Sequence, residues 1–505
     1  MRTAYSVETV RAAERALMAR LPEGALMLRA AAGLAAACAG VLGRVSGARV
    51  AVLAGSGDNG GDALYAGARL ARRGAAVTAV LLAPDRAHPG GLAALRAAGG
   101  RAVPAAAPGP EAGTGDAPGA GGTHRAALSA VGRADLVLDG ITGIGGRGGL
   151  RPAAAALAAA ARDSGAVVVA VDLPSGVDAG TGEVGGAAVR ADATVTFGAC
   201  KPGLLIDPGA GHAGAVRLVP IGLEPFLPAT AELEAPQHAD VAALLPTPGA
   251  ESDKYRRGVV GVVAGSARYP GAAVLAVAGA LRGGSGAVRY VGPAGDAVIA
   301  RFPETLVSAG PPAKAGRVQA WVIGPGLGEG PDARRAMKDV LASEVPVLVD
   351  ADGLRLLDRK QARRRRAPLL LTPHAGEAAA LLSVAREEVE GARLASARRL
   401  AAEFGATVLL KGSTTLVADA EGPVRVNPTG TGWLATAGTG DVLSGLTGSL
   451  LAAGLAPREA ASAGAYLHGL AGRRAAGRTG APIGASEVAA ALAGAWADVA
   501  SGSDG

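Results

Sequence analysis

Arg49-Val50-Ala51-Val52-Leu53 runs through Ala54 into Gly55-Ser56-Gly57-Asp58-Asn59-Gly60-Gly61-Asp62, and a helical stretch from Ala63 to Arg73 follows. An apolar β run, a glycine-rich loop and a helix, in that order, form one unit of a doubly wound α/β sheet with the loop at its carboxyl edge. Such a loop brings backbone N–H groups to a helix N-terminus and can cradle an anion. The β runs return at Val77 to Leu82, Leu136 to Leu138 and Val167 to Val171, separated by Ala/Leu-rich helical sequence. Between Pro104 and Thr123 the chain is mostly Pro, Gly and Ala and reads as a flexible surface insertion. Pro-punctuated sequence from Pro225 to Pro236 breaks the rhythm, which restarts at Val259, so a domain boundary is expected there. The two domains are expected at 1–225 and 236–505.

The totals agree with two domains, because 505 residues exceed what one ordinary core accommodates. Charged residues are 18% and hydrophobic ones 49%, which excludes a disordered chain. Apolar stretches are broken by Gly, Asp or Arg before the roughly 20 residues a spanning helix needs, and no signal-type h-region follows Met1. A cytoplasmic enzyme with no membrane partner is expected. Cys38 and Cys200 are the two cysteines, which supports neither a disulfide framework nor a thiolate metal site. The net charge of +7 is scattered and aromatic residues are 3%, so nucleic acid is not an expected partner; the cluster Lys360 to Arg366 reads as a solvated helix end.

In the first half, Asp58-Asn59-Gly60-Gly61-Asp62 carries more carboxylate and amide than a dinucleotide phosphate loop tolerates, and its oxygens suit a cation or hydroxyl groups. Leu138-Asp139-Gly140-Ile141-Thr142-Gly143 and Val171-Asp172-Leu173-Pro174-Ser175-Gly176 also place an Asp just after a β run. Three polar loops are therefore expected to converge on one strand edge. Together these segments resemble the YjeF_N-type NAD(P)H-hydrate epimerase domain, over about residues 1 to 225, with a Rossmann-like αβα sandwich. The resemblance implies a potassium ion held by Asn59, Asp139 and Ser175. It also implies that the hydrated nucleotide contacts Asp58 to Asp62 (Asp58, Asn59, Gly60, Gly61, Asp62), the loop Gly143, Ile144, Gly145, Gly146, Arg147, Gly148 and Gly149, and Asp172. Asp58 stands where that family usually has Asn. Epimerisation inverts a carbinolamine carbon and needs a positioned acid/base, for which Asp172 is expected.

In the second half, Gly438-Thr439-Gly440-Asp441 opens the helical run Val442-Leu443-Ser444-Gly445-Leu446 and combines a phosphate cradle with a carboxylate. Four further segments follow apolar β-like runs: Val262-Val263-Ala264-Gly265-Ser266 with Pro270-Gly271-Ala272, Gly324-Pro325-Gly326-Leu327-Gly328, Thr372-Pro373-His374-Ala375-Gly376-Glu377, and Lys411-Gly412-Ser413-Thr414-Thr415. In this order they resemble the ribokinase-like ADP/ATP-dependent NAD(P)H-hydrate dehydratases, over roughly residues 236 to 500. The resemblance implies that Ala272, Gly326, His374 and Asp441 face the hydrate. It implies that Lys411, Gly412, Ser413, Thr414, Thr415 and Gly440 contact ADP or ATP, with Mg2+ accompanying the nucleotide and Asp441 as base. The family's Asn-x-Gly-Met-Ala turn is replaced here by Gly430-Thr431-Gly432-Trp433-Leu434-Ala435.

The expectation is thus a two-domain α/β enzyme that epimerises NADHX and NADPHX and dehydrates one epimer with ADP, releasing AMP and phosphate. A homo-oligomer is expected. The alternative is a ribokinase-like small-molecule kinase fused to a non-catalytic nucleotide-binding module, which shares the fold and the GTGD segment.

Overall fold

The computed structural model describes residues 1–105 and 120–502. It divides into two compact units, Thr3–Glu232 and Leu233–Gly505, with Met1–Arg2 grouped with the second. Most of the Pro104 to Thr123 stretch lies outside the described residues; Pro104 ends the strand Arg101–Pro104 and Ala120 begins the helix Ala120–Gly132.

The N-terminal unit is built on a seven-stranded parallel sheet. Its spatial order is Arg101–Pro104, Ala76–Leu81, Arg49–Ala54, Leu136–Gly140, Val167–Val171, Ala193–Phe197, Ala215–Val219. The central strands are apolar on both faces because helices cover both sides; Val52, Leu136 and Leu138 belong to one core layer and Ala51, Leu53 and Val137 to the other. The chain enters at Arg49–Ala54, moves outward one way, then returns to place Leu136–Gly140 on the opposite side of that first strand. The carboxyl edge between these two strands is a switch point, where the loops diverge and leave a crevice.

Two local readings change. The helix after the first strand is Asp58–Arg72, so the Asp58 to Asp62 segment is its first turn rather than a loop ahead of it. Close approach explains the glycine at 60, where a Cβ would lie 2.5 Å from the Gly55 carbonyl oxygen. Ala25–Leu42 is an 18-residue helix that is long and apolar enough to cross a membrane by length and composition. Here Ala30, Leu34, Ala35 and Cys38 on this helix belong to the N-terminal core, and Arg29 donates to the Ile221 carbonyl at 3.1 Å. Both cysteines are buried and outside any disulfide, and burial pushes Cys38 up to about 12.

In the C-terminal unit the spatial order is Leu233–Ala235, Val424–Asn427, Thr415–Ala418, Thr407–Leu410, Leu369–Leu371, Val347–Val349, Ala320–Ile323, Val259–Val263, Ala287–Val291, Leu306–Ser308. The strands from Thr407–Leu410 to Leu306–Ser308 are parallel, and Thr415–Ala418 is antiparallel to both its neighbours. The switch point falls between Val259–Val263 and Ala320–Ile323. Helix Thr439–Ala452 crosses Pro270–Arg282 at glycines: a Cβ on Gly445 would lie 1.9 Å from the Ala276 carbonyl oxygen, and one on Gly279 2.1 Å from that of Val442. Gly445→Ala is therefore expected to destabilise the C-terminal unit by about 3 kcal/mol through overpacking, read as a lower denaturant midpoint and lower heat tolerance of that unit.

Candidate active sites

The N-terminal crevice is a cavity of about 960 Å³ bounded by the Gly55 to Asp62 turn, the Ile141 to Leu150 loop and Asp172. Every nucleotide-contact position expected in the glycine-rich loop, Gly143 through Gly149, lines it, as do Asp58, Asn59, Asp62 and Asp172. Gly60 and Gly61 are buried in the helix's first turn behind it.

Asn59, Asp139 and Ser175 meet around one peptide group. Asn59 Nδ2 donates to the Thr142 carbonyl at 3.0 Å, and the Ser175 hydroxyl lies 3.2 Å from the same oxygen and 2.7 Å from Asp139 Oδ1. Ser175 N–H donates to Asp139 Oδ2 at 2.8 Å. Asp139 is fully buried, and desolvation pushes its carboxyl up to about 6 against the hydrogen bonds from Ser175 and Ile141. None of those partners carries positive charge.

Asp172 holds a left-handed backbone conformation, φ 65°, which strains a residue with a Cβ. Its Oδ1 accepts from Lys201 Nζ at 2.5 Å, the Thr196 hydroxyl at 3.0 Å and Phe197 N–H at 3.1 Å. Lys201 is 1% exposed, and its remaining acceptors are Thr196 Oγ1 and the Phe197 carbonyl, so its donors are all engaged inside the protein. Sequence reasoning missed Lys201. It also missed the helix Val7–Met18, which buries Val10, Ala13 and Leu17 and turns Arg11, Glu14, Arg15 and Met18 into the cavity. Helical spacing carries that signal, but only the fold shows what the polar face meets.

At the C-terminal switch point the loops are tied to one another. Gly265 N–H donates to the Pro325 carbonyl at 2.7 Å, Gly328 N–H to Asp352 Oδ2 at 2.8 Å, and Lys411 N–H to the Pro373 carbonyl at 2.8 Å. Ala272 and Gly326 touch: a Cβ on Gly326 would lie 2.6 Å from that of Ala272. Gly438, at φ 88°, starts the helix Thr439–Ala452, whose first-turn N–H groups have no intrahelical acceptor. Asp441 sits in that turn, and burial, with Asp350 as the next contributor, pushes it up to about 7 although Lys411 opposes the shift.

Lys411 is 19% exposed and bonds to Asp350 Oδ1 at 2.7 Å, with Glu377 at 3.7 Å. Burial works against its charge, but the carboxylates of Asp350, Glu377 and Asp441 outweigh it and raise its pKa. A Cβ on Gly440 would lie 3.5 Å from Lys411 Nζ, so the lysine reaches the GTGD turn. Asp350 in turn accepts from the Ser444 hydroxyl at 2.6 Å, and the backbone after it is strained at Ala351, φ 48°. Arg393 is 6% exposed and donates to the carbonyls of Lys411 and Thr414 at 3.1 Å, which turns the Lys411 to Thr415 loop around a guanidinium. His468, also buried, bonds through Nε2 to the Thr439 carbonyl at 2.9 Å, and desolvation lowers it to about 4. Asp350, Arg393 and His468 lie outside every glycine-rich motif, and Ser444 lies one helical turn past the GTGD segment.

His374 is the N-cap of the helix Ala375–Leu382. Its Nδ1 accepts from Gly376 and Glu377 N–H groups at 3.0 and 3.2 Å, while Glu377 accepts from the His374 N–H at 2.7 Å, a reciprocal capping box. An accepting Nδ1 puts the ring proton of the neutral side chain on Nε2. The Gly430 to Ala435 segment contains a short 3-10 turn, Gly432–Leu434, and the Leu434 carbonyl accepts from the Thr439 hydroxyl at 2.7 Å. The altered turn therefore anchors the GTGD helix start while Trp433 remains 42% exposed.

The family described as NAD(P)H-hydrate dehydratase matches residues 260–493, and that described as YjeF-related protein N-terminus matches 23–203. A bifunctional NAD(P)H-hydrate repair enzyme of Mycobacterium leprae is 50% identical over 474 residues, covering 93% of each chain. The protein of that description from Corynebacterium glutamicum is 36% identical, covering 90% of this chain and 87% of its own. Among solved structures, the ADP/ATP-dependent NAD(P)H-hydrate dehydratase of Bacillus subtilis, co-crystallised with ATP/Mg2+, is 31% identical and covers 53% of this chain and 99% of its own, at a TM-score of 0.49. Identity at that level along nearly the whole length places this chain in the family of bifunctional NAD(P)H-hydrate repair enzymes.

Proposed function

We propose that the N-terminal unit interconverts the two epimers of NADHX and NADPHX and that the C-terminal unit dehydrates one of them at the expense of ADP. The observation that carries the dehydratase reading is Asp441: a carboxylate pushed up to about 7, in the first turn of a glycine-started helix, with Lys411 alongside. A base poised near neutrality beside a set of phosphate-binding N–H groups is what phosphorylation of a hydroxyl requires. Hydroxide leaves the hydrated ring poorly, whereas phosphate leaves readily. Asp441 takes the hydroxyl proton, the oxygen attacks the terminal phosphorus of the nucleotide, and the ring nitrogen then expels phosphate to restore the dihydronicotinamide.

One ion fits a donor set of the N-terminal unit. Asp139 is a buried carboxyl whose neighbours are neutral, and Asn59 and Ser175 add oxygens beside it; one monovalent hard cation such as K+ suits that set and offsets the burial cost. Among the described residues no group of three His, Cys, Asp or Glu is placed to hold a metal. Mg2+ in the C-terminal unit is then expected to arrive on the nucleotide, where it neutralises phosphate charge.

The donor is tested by product analysis. Purified protein with the hydrate and either nucleotide is expected to release AMP and phosphate from ADP, resolved by ion-exchange chromatography; turnover restricted to ATP with release of ADP would replace ADP as the donor.

A further inference from the structure

Epimerisation through loss and return of water moves two protons: one reaches the departing hydroxyl, and one leaves the incoming water. Asp172 and its lysine account for one of these groups. The second has not been assigned by any motif. We propose that Asp62 is the proton donor of the epimerisation, paired with Asp172 as the acceptor.

Asp62 and Asp172 line the same cavity, and their surroundings are opposite. Asp172 Oδ1 takes three hydrogen bonds, one from an ammonium, while its Oδ2 takes none from the described residues and is left for substrate or water. Asp62 Oδ1 is buried and takes no hydrogen bond from any described residue. A buried carboxylate without donors is costly, whereas the neutral acid at the same place costs little. The charges facing it strengthen that bias. Desolvation, then Asp172, Asp58 and Glu14, push Asp62 well above the ordinary carboxyl range, and Lys201, already bonded to Asp172, opposes them weakly. Glu14 and Arg11 face the cavity from the first helix, Arg86 and Arg147 line it from the surrounding loops, and the His88 ring lies 3.0 Å from where a Cβ of Gly61 would stand. A carboxyl without donors on its buried oxygen and a second carboxyl bonded to an ammonium, both lining one cavity, supply the two members of an acid/base pair.

The step balances. Asp62 gives its proton to the hydroxyl oxygen as the C–O bond breaks, the ring nitrogen's electron pair forms the iminium, and water departs. Water then adds to the other face of the same carbon, the electron pair returns to nitrogen, and the added water's proton passes to Asp172 Oδ2. Exchange with solvent returns the proton from Asp172 to Asp62.

The test follows epimer interconversion without nucleotide, so that the dehydratase is silent, with the uncatalysed rate subtracted and with the unfolding midpoint of the N-terminal unit as a check on folding. Wild-type epimerisation is expected to decline at alkaline pH as Asp62 loses its proton. Asp62→Asn is expected to lower kcat by about a hundredfold or more with little change in KM, and to abolish that alkaline decline. Asp62→Glu, which keeps a titratable proton, is expected to retain the decline at a shifted pH, and decides the matter if the Asn variant does not fold. Wild-type rate in Asp62→Asn, an unshifted alkaline decline in either variant, or transfer of the effect to Glu14→Gln would overturn the assignment.

Discussion

Replacing Asp441 with Asn is expected to lower dehydratase kcat by about a thousandfold, because the variant keeps the size of the side chain and loses the base. The surrounding helix start should survive, since Gly438 supplies the backbone turn and the hydroxyl of Thr439 ties it to Leu434. Nucleotide binding should therefore change little and epimer interconversion not at all. The wild-type pH profile carries the same assignment. Asp441 must be ionised to accept a proton, and its carboxyl is pushed up to about 7, chiefly by burial and then by Asp350. Dehydratase kcat/KM should accordingly rise with pH through about 7 and fall below it, a limb that Asp441→Asn should lack. A fully active Asn variant, or a profile flat from pH 5 to 8, would remove Asp441 as the base.

Lys201→Met is expected to impair the N-terminal unit in both turnover and stability. The ammonium is almost completely buried and spends its donors on Asp172, Thr196 and Phe197, so it positions Asp172 without touching substrate. Removing it leaves an uncompensated buried carboxylate, which costs about 3–5 kcal/mol in stability, and frees the strained Asp172 from its fixed orientation. Misplacement of a reacting group by that route lowers kcat on the order of a hundredfold. The expected pattern is a loss of epimerase kcat with a lower unfolding midpoint and an unaltered dehydratase. Normal epimerase turnover in Lys201→Met would show that Asp172 needs no such support.

Much of the fold was legible because strands buried on both faces read as apolar runs. Arg49–Ala54, Leu136–Gly140 and Val167–Val171 lie where such runs end in a glycine or an aspartate. Glycine-rich segments marked the two crevices for a related reason: close approach of Gly60 to Gly55, and the left-handed Gly438, tolerate no side chain. Single side chains delivered from distant elements were not legible. Lys201 lies 29 positions from the aspartate it holds, and Ser444 lies 94 from Asp350. Neither spacing carries a local signal, and an isolated Lys or Ser in sequence ordinarily faces solvent. The Asp58 helix start was misread because Asp-Asn-Gly-Gly has low intrinsic helix propensity, which tertiary contact at the switch point overrides. His374 was expected at the substrate; its Nδ1 is committed to capping and its Nε2 lies 3.5 Å from Glu377 Oε1.

The most direct measurement is recovery of reduced nicotinamide absorbance from a mixture of both NADHX epimers incubated with the purified protein and ADP or ATP. Complete recovery, faster than the spontaneous interconversion of the epimers, is expected of a chain in which both units are active. Recovery of one epimer alone would contradict epimerase activity in the N-terminal unit, and a stable phosphorylated product with no gain of absorbance would contradict the dehydratase.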